Sequence, residues 1–487
     1  MTEALFRVDP RDDVAVALRD LAAGEDAGIG IVEAIPKGHK VALRAIAAGE
    51  TVRKFGFPIG RARSDIQAGA HVHSHNLATA LGARGDYAWH PSAAPAPVVT
   101  DAEGFLGYRR ADGRVGTRNE IWVIPTVGCV ARTAEKIAAR AAARHAGKVD
   151  GIHAFAHPFG CSQLGEDLDG TRGLLAALAS HPNAGGVLLL GLGCESNQLS
   201  QLLPGIAPGA NVRTLGAQAA GDELEEGLAL VDELVAVAAQ ATREPVPLSA
   251  LVLGVKCGGS DGFSGLTANP LVGRMSDAVT AAGGTAILTE IPEIFGAEQL
   301  LMARAVDAAV FDGIGDLVNG FKAYFTAHGE GVSDNPSPGN IAGGITTLEE
   351  KSLGAVQKGG HAPVTDVIFY GGRVRRPGLT LLEAPGNDAV SSTALAAAGA
   401  TAILFTTGRG TPLGFPVPTI KIASNSELAR RKPGWIDFDA GAVLEDGFAP
   451  AEAALLATIR AVASGRETAA ERNDEREIAI WKRGVTL

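Results

Sequence analysis

Three times along this chain an apolar run ends in a glycine-rich turn that carries a cysteine, and no other feature constrains the fold as much. The stretch from His153 to Asn197 holds two of them: HAFAHPFGCSQLGEDLDG with Cys161 and, after a helical segment, GVLLLGLGCESNQ with Cys194 followed by Glu195. The third, LVLGV at 251–255, runs into Lys256, Cys257 and GGSDG. In an open α/β sheet ligands bind beyond the carboxyl ends of the strands, so the three turns are expected to converge on one pocket.

Composition narrows the class. A chain of 487 residues has room for about two to four domains. Hydrophobic residues make up 46% and charged residues 20%, the balance of a globular protein, and no apolar run is long enough to span a bilayer. The first twenty or so residues contain Asp9, Asp12 and Asp13 and lack the apolar core of a signal peptide, which makes the cytoplasm the expected location. A net charge of −11 without a basic block argues against nucleic acid and anionic membranes, while a small anionic substrate stays compatible with a locally positive pocket. Four cysteines without a C-x-x-C pair form neither a disulfide scaffold nor a zinc knuckle. Cys129, Cys161, Cys194 and Cys257 each follow an apolar run beside glycine, so packing, metal binding and catalysis are the readings to weigh.

Residues 1–80 read as a small β-rich domain in which Val14–Arg19 forms a strand leading into a short helix. Its last strand is expected to hold HVHSHN, so His71, His73 and His75 would project to one face, since side chains alternate along a strand. Residues 81–104, rich in Ala, Pro and Gly with PSAAPAP at 91–97, read as a semi-rigid linker. Residues 105–245 alternate strands (121–125, 152–156, 187–190) with helices, including one near 221–241, and Cys129 falls near a helix N-terminus that favours a thiolate. Residues 246–487 repeat the pattern, with strands near 250–255, 285–289, 366–370 and 402–405 and a helical tail. This alternation predicts an α/β protein: a small β domain, then two Rossmann-like domains with largely parallel sheets.

Several side chains are fit for chemistry. Imidazoles at alternate positions suit iron, zinc or nickel, and thiolates suit soft or borderline metals, including an iron–sulfur cluster with three cysteine ligands and one open iron. The competing reading is a solvated strand edge for the histidines and core filling for the cysteines. Lys256 is a general base if burial lowers its pKa, or an ordinary lysine paired with Asp261 or Glu290. Glu166, Glu195, Glu290 and Glu293 are acid, base or metal candidates, or simply turn and cap residues. Arg114, Arg118 and Arg409 offer the planar fork that matches a carboxylate. Ser260, Asp261, Asn335 and Asn340 could hydrogen-bond hydroxyl groups. No glycine loop has the spacing of a dinucleotide or ATP site.

Taken together, FGFPIGRARSDIQAGAHVHSHN, GYRRADGRVGTRNEIWVIPTVGC, HPFGCSQLGEDLDGT, GLGCESNQ, KCGGSDGFSGLTANP, DNPSPGNIAGGITTLEEKSLGA and the PGND…TTGRGTPLG tract resemble the altronate dehydratase and galactarate dehydratase family. The resemblance spans nearly the whole chain. It implies an N-terminal SAF (β-clip) domain and a metal-dependent elimination of water from a sugar acid to a 2-keto-3-deoxy acid, usually with ferrous iron. Length and the unbroken chain look more like altronate dehydratase than the longer galactarate enzyme. A related split system, sulfolactate sulfo-lyase, looks like this chain cut after the SAF part, and a non-catalytic sugar-acid-binding protein is the remaining alternative. From motif position alone, His73 and His75 are expected to hold the metal, Fe2+ or else Mn2+, with Cys161, Cys194 or Cys257 assisting. Lys256 or a nearby Glu takes the C2 proton, and Glu195 or a group at His75 protonates the departing hydroxyl. A homodimer is the expected assembly.

Overall fold

A computed structural model describes residues 4–82, 84–91, 103–484 and 486. The N-terminal part forms two small antiparallel sheets. One has four strands in the order Leu5–Phe6, Val14–Ala17, Lys40–Ala42, His71–Val72; the other joins Thr51–Lys54, Phe57–Ala62 and Leu77–Ala78. The short helix expected after Val14 is absent among the described residues, because glycines at 24, 28 and 30 break residues 18–36 into turns and bends. The strand bearing the histidines ends at Val72, and the N–H groups of Asn76 and Leu77 both return to the His73 carbonyl. That turn carries His75 off the face expected from strict alternation.

Two parallel sheets follow. The first has four strands in the order Gly151–Ala154, Glu120–Pro125, Ala184–Gly191, Val212–Gly216, with helices Ala131–Arg144 and Gly165–Ala179 in its crossovers and Glu223–Ala238 following the last strand. The strand at 212–216 and a small antiparallel sheet of Glu244–Val246, Phe105–Arg109 and Val115–Gly116 were not anticipated. The second parallel sheet has seven strands: Val364–Ile368, Gly378–Leu382, Thr285–Leu288, Val252–Cys257, Ala402–Thr407, Thr419–Ala423, Phe438–Asp439. Chain connections run outward in opposite directions from Val252–Cys257, so its carboxyl end stands at a topological switch point, where such sheets bind ligands.

No described helix is long and apolar enough to cross a membrane. Of the expected linker, residues 92–102 lie outside the described residues. The part before them is docked: Tyr87 donates to Glu298 Oε1 at 2.6 Å and Trp89 packs 6.0 Å from Phe311.

Arg118, expected to bind substrate, is instead a buried strut. Its guanidinium pairs with Glu471 at 2.8 Å and donates to the carbonyls of Thr117, Val462 and Arg466, joining the first parallel sheet to the C-terminal segment. Burial opposes the charge on Glu471, but Arg118 and then Arg476 outweigh it and hold the carboxyl below its usual range. A depressed folded-state pKa stabilises the fold above the unfolded value of ~4.3 and the contribution is lost as pH falls through the folded value. Arg118→Ala leaves the buried Glu471 carboxylate with only the more distant Arg476, at 3.7 Å, as counter-charge and is expected to cost about 3 kcal/mol at pH 7, read by urea unfolding, with the difference from wild type shrinking toward acid pH.

Candidate functional site

The sequence LVLGVKCGGSDG folds as a buried strand that ends at Cys257 and releases glycines into the switch-point crevice. A cavity of about 520 Å³ opens there, lined by Cys257, Ser260, Glu293, Asn335, Asn340 and Lys351 among others. Three sequence-predicted residues, Ser260, Asn335 and Asn340, therefore share one wall. Asn340 Nδ2 donates to the Ser260 carbonyl at 2.8 Å, and Lys351 Nζ donates to Asn335 Oδ1 at 2.9 Å and Asn340 Oδ1 at 3.2 Å.

Under this wall lies a charge network. Lys256 Nζ is 2.6 Å from Asp388 Oδ1 and 3.2 Å from Glu290 Oε1; Lys358 Nζ is 3.1 Å from Glu290 Oε2 and 2.8 Å from Cys257 Sγ; Lys351 Nζ is 2.8 Å from Glu293 Oε1. Glu290 follows the strand Thr285–Leu288 and holds φ at +67°, a left-handed conformation costing about 1–3 kcal/mol for a residue other than glycine. It is held there by the Cys257 N–H, which donates to its Oε2 at 2.9 Å.

Electrostatics revise two expected roles. Burial alone would lower the Lys256 pKa, yet Glu290 and Asp388 raise it, so Lys256 stays an ammonium and is ill suited to take a proton. Burial pushes the Cys257 thiol up to about 12, and its S–H donates to Glu293 Oε2 at 3.3 Å. Burial raises Glu293 while Lys351 and Lys358 lower it, with a net lowering that keeps a carboxylate facing the cavity. Cys257, Glu290 and Glu293 each offer a ligand atom within 4.8 Å of the others. Three ammonium groups already neutralise that set, so it is poorly matched to a further dication.

A second cluster fits a cation better. Antiparallel pairing of Lys40 with Val72 and Val41 with His71, continued by one residue, sets His39 opposite His73. The rings of His39, His71 and His73 are mutually 5.1 Å apart, with one nitrogen from each inside a 4.8 Å group. His39 Nδ1 lies 3.0 Å from His71 Nε2. Two nitrogens bound to one ion at about 2.1 Å are separated by roughly 3 Å. His73 Nε2 is 3.0 Å from the Ile341 carbonyl and His39 Nε2 3.4 Å from that of Ala342, so those nitrogens carry the protons and Nδ1 keeps its lone pair. Such a carbonyl partner is the usual support of a metal-binding imidazole. Burial, then the neighbouring rings, push His71 down to about 3, which keeps it neutral. The carbonyls come from the short helix Pro338–Ala342, and Ser337 and Asn340 of the same turn line the cavity. A histidine cluster on the N-terminal sheets thus backs directly onto the cavity wall.

Other expected residues stand elsewhere. His75 is exposed, with its ring 5.7 Å from that of His71 but outside the three-nitrogen group. Cys161 and Cys194 are exposed on loops of the first parallel sheet, so the three cysteine turns do not converge: Cys257 belongs to the other sheet. Glu195 is beside Cys194, where Thr126 Oγ1 at 2.7 Å and the N–H groups of Leu192 at 3.1 Å and Gly193 at 2.6 Å donate to it. Burial raises its pKa but these hydrogen bonds win, leaving a clamped anion in place of a proton donor. Arg114 pairs with Asp112 at 2.6 Å on the surface, and Asp261 is consumed by the N–H groups of Phe263 and Ser264, Ser424 and Asn425. Arg409 alone of the three expected cations approaches the cavity: Cβ atoms placed on Gly259 and Gly339 would lie 3.5 and 3.7 Å from it. It makes no ion pair among the described residues.

Sequence reasoning missed His39, Lys351 and Lys358. The lysines left a signal: seven positions apart in a helical stretch, they share a face.

The chain matches three family profiles in succession: the altronate/galactarate dehydratase SAF domain over residues 3–80, the second domain of D-galactarate dehydratase/altronate hydrolase over 107–239, and the D-galactarate/altronate dehydratase C-terminal region over 248–486. It is 48% identical to an altronate dehydratase of Bacillus subtilis (strain 168), covering 100% of both chains. Identity to an altronate dehydratase of Escherichia coli (strain K12) is 49% over 99% of each chain. A galactarate dehydratase (L-threo-forming) of the same organism is 34% identical over 91% of this chain and 89% of its own.

Proposed function

We propose, because the chain belongs to the altronate/galactarate dehydratase family and is therefore a hydro-lyase of sugar acids, that it converts D-altronate to its 2-keto-3-deoxy acid in the cavity at the end of strand Val252–Cys257. The observation that carries the substrate choice is the near-complete two-way coverage of the altronate dehydratases at higher identity than the galactarate enzyme. Cytoplasmic location, a homodimeric state and a division into units at 1–80, 105–245 and 246–487 belong to the same proposal. Light scattering checks the assembly, and a monomeric mass counts against it.

Removing a proton next to a carboxylate needs charge stabilisation and a placed base. His39, His71 and His73 would hold a divalent cation, ferrous iron with Mn2+ as the substitute to test, against the far side of the Pro338–Ala342 turn, and its positive charge would favour the negative charge that develops on the substrate. Arg409 binds the carboxylate at the cavity mouth, and Ser260, Asn335 and Asn340 bind hydroxyls. Glu293, kept ionised by Lys351 and Lys358, takes the C2 proton in place of Lys256. The C2–H electron pair becomes the C2–C3 double bond, the C3–O bond breaks, and Lys351 donates the proton with which the hydroxyl leaves as water. The resulting enol ketonises to the 2-keto-3-deoxy acid.

The test is anaerobic, iron-loaded protein assayed with D-altronate, galactarate and sulfolactate for keto acid and sulfite. D-Altronate should give the highest kcat/KM; no keto acid from it, with turnover of either other acid, refutes the assignment. Arg409→Ala is expected to raise KM for D-altronate roughly tenfold to a hundredfold, the worth of a charge-assisted hydrogen bond of about 1.5–3 kcal/mol, with a smaller change in kcat. An unchanged KM removes Arg409 from carboxylate binding.

A further inference from the structure

Three of the four cysteines take no part in the cavity, yet the fold gathers them. Cys129, Cys161 and Cys194 follow three adjacent parallel strands, Glu120–Pro125, Gly151–Ala154 and Ala184–Gly191. The first is flanked by the other two, and connections leave it in both directions, so all three cysteines stand at the switch point of the first parallel sheet.

The loops carrying them are interlocked. Gly128 N–H donates to the Phe159 carbonyl at 2.8 Å, Asn197 N–H to that of Gly160 at 2.9 Å, and Ser162 N–H to Ser196 Oγ at 3.2 Å. Thr126 Oγ1 donates to Glu195 at 2.7 Å, which explains why that glutamate is spent on loop geometry. At Gly160, where φ is +102°, a Cβ would lie 2.1 Å from the Thr126 carbonyl oxygen, so only glycine allows two of the loops to come this close.

The thiols are exposed and none is in a disulfide. Cys129 sits in the turn Gly128–Val130 ahead of helix Ala131–Arg144, and Gln218 Nε2 donates toward Cys194 Sγ at 3.5 Å. Three thiolates on one ion with metal–sulfur bonds of about 2.3 Å would be about 3.8 Å apart. These three sulfurs do not all fall within 4.8 Å of one another, so as placed they do not form a closed single-ion site.

We infer that Cys129, Cys161 and Cys194 hold an iron–sulfur cluster by three thiolates, leaving one iron for an oxygen ligand such as a hydroxyl or carboxylate. The inference rests on the cysteine loops and is independent of which acid is turned over and of the histidine cluster.

Full-length protein is purified anaerobically, incubated with ferrous iron and sulfide, desalted, and analysed for iron, acid-labile sulfide and sulfide-to-iron charge-transfer absorption. Wild type should retain iron and labile sulfide together; C129S, C161S and C194S should each retain at least tenfold less sulfide at an unchanged melting temperature. His39→Ala should keep the sulfide while losing turnover, which separates this site from the proposed function. In wild type, all three cysteines should resist iodoacetamide after reconstitution and react with it before, a readout that needs no variant. Iron without labile sulfide, full sulfide in C129S, or equal alkylation in the two states overturns the inference.

Discussion

His39→Ala is expected to lower kcat of the iron-loaded enzyme with D-altronate by at least about a hundredfold and to lower iron bound by the histidine cluster, since even the hydrogen-bonding partners of a metal ligand are worth ~10–100-fold. His39 contributes the nitrogen 3.0 Å from His71 and is aligned by the Ala342 carbonyl, so its removal leaves two imidazoles where three converge. His75→Ala is the contrast: an exposed ring on a turn should cost less than about threefold if it binds nothing. Iron titration and kcat are measured on both proteins alongside a thermal melt, because His39 adjoins the buried Lys40. Equal loss in both variants, or full activity in His39→Ala, would take the cation out of this cluster.

The contrast between His39 and His75 marks where sequence reading stopped. Histidines at 71, 73 and 75 advertise themselves by alternation, but alternation holds only inside a strand, and here the strand ends at Val72. His39 gives no local signal because its proximity to His71 comes from cross-strand register between segments some thirty residues apart. The cysteine turns show the same division. The apolar runs did become strands, as period and glycine placement dictate, with Cys257 the last residue of its strand and Cys194 in the turn just after its own, whereas the strand before Cys161 already ends at Ala154. Which sheet each strand enters is set by long-range pairing, and that pairing sent Cys257 to the seven-stranded sheet and left Cys129, not Cys257, beside Cys161 and Cys194. Arginines were the least legible. Arg118 and Arg409 are equally plausible partners for a carboxylate in a sequence, and only burial shows that Glu471 already occupies the first.

Glu350→Gln is expected to destabilise the fold by about 3–5 kcal/mol and, through the same contact, to depress turnover. Glu350 is in helix Leu348–Ala355 beneath the cavity, and its two oxygens receive Lys40 Nζ at 2.8 Å and Lys54 Nζ at 2.8 Å from the N-terminal sheets, all three side chains being at most 3% exposed. Lys40 also donates to the Gly344 carbonyl at 2.7 Å, close to the turn that aligns the histidines. Burial raises the Glu350 pKa, but Lys40 and Lys54 lower it far more, so at neutral pH the carboxylate is the counter-charge without which two ammonium groups would be stranded in the interior. Gln keeps the shape and removes that charge, so the N-terminal sheets should loosen from the third region and carry His39, His71 and His73 away from the Pro338–Ala342 turn. Urea unfolding reads the stability, and proteolysis within the 81–104 segment reads the detachment. The triple variant K40M/K54M/E350L distinguishes a charge penalty from lost packing: removing all three charges should recover most of the stability, because a buried ionic triad is worth little against apolar residues of similar volume. A Glu350→Gln protein as stable as wild type would mean that water reaches these lysines, and the contact would then not be what holds the histidine cluster against the cavity wall.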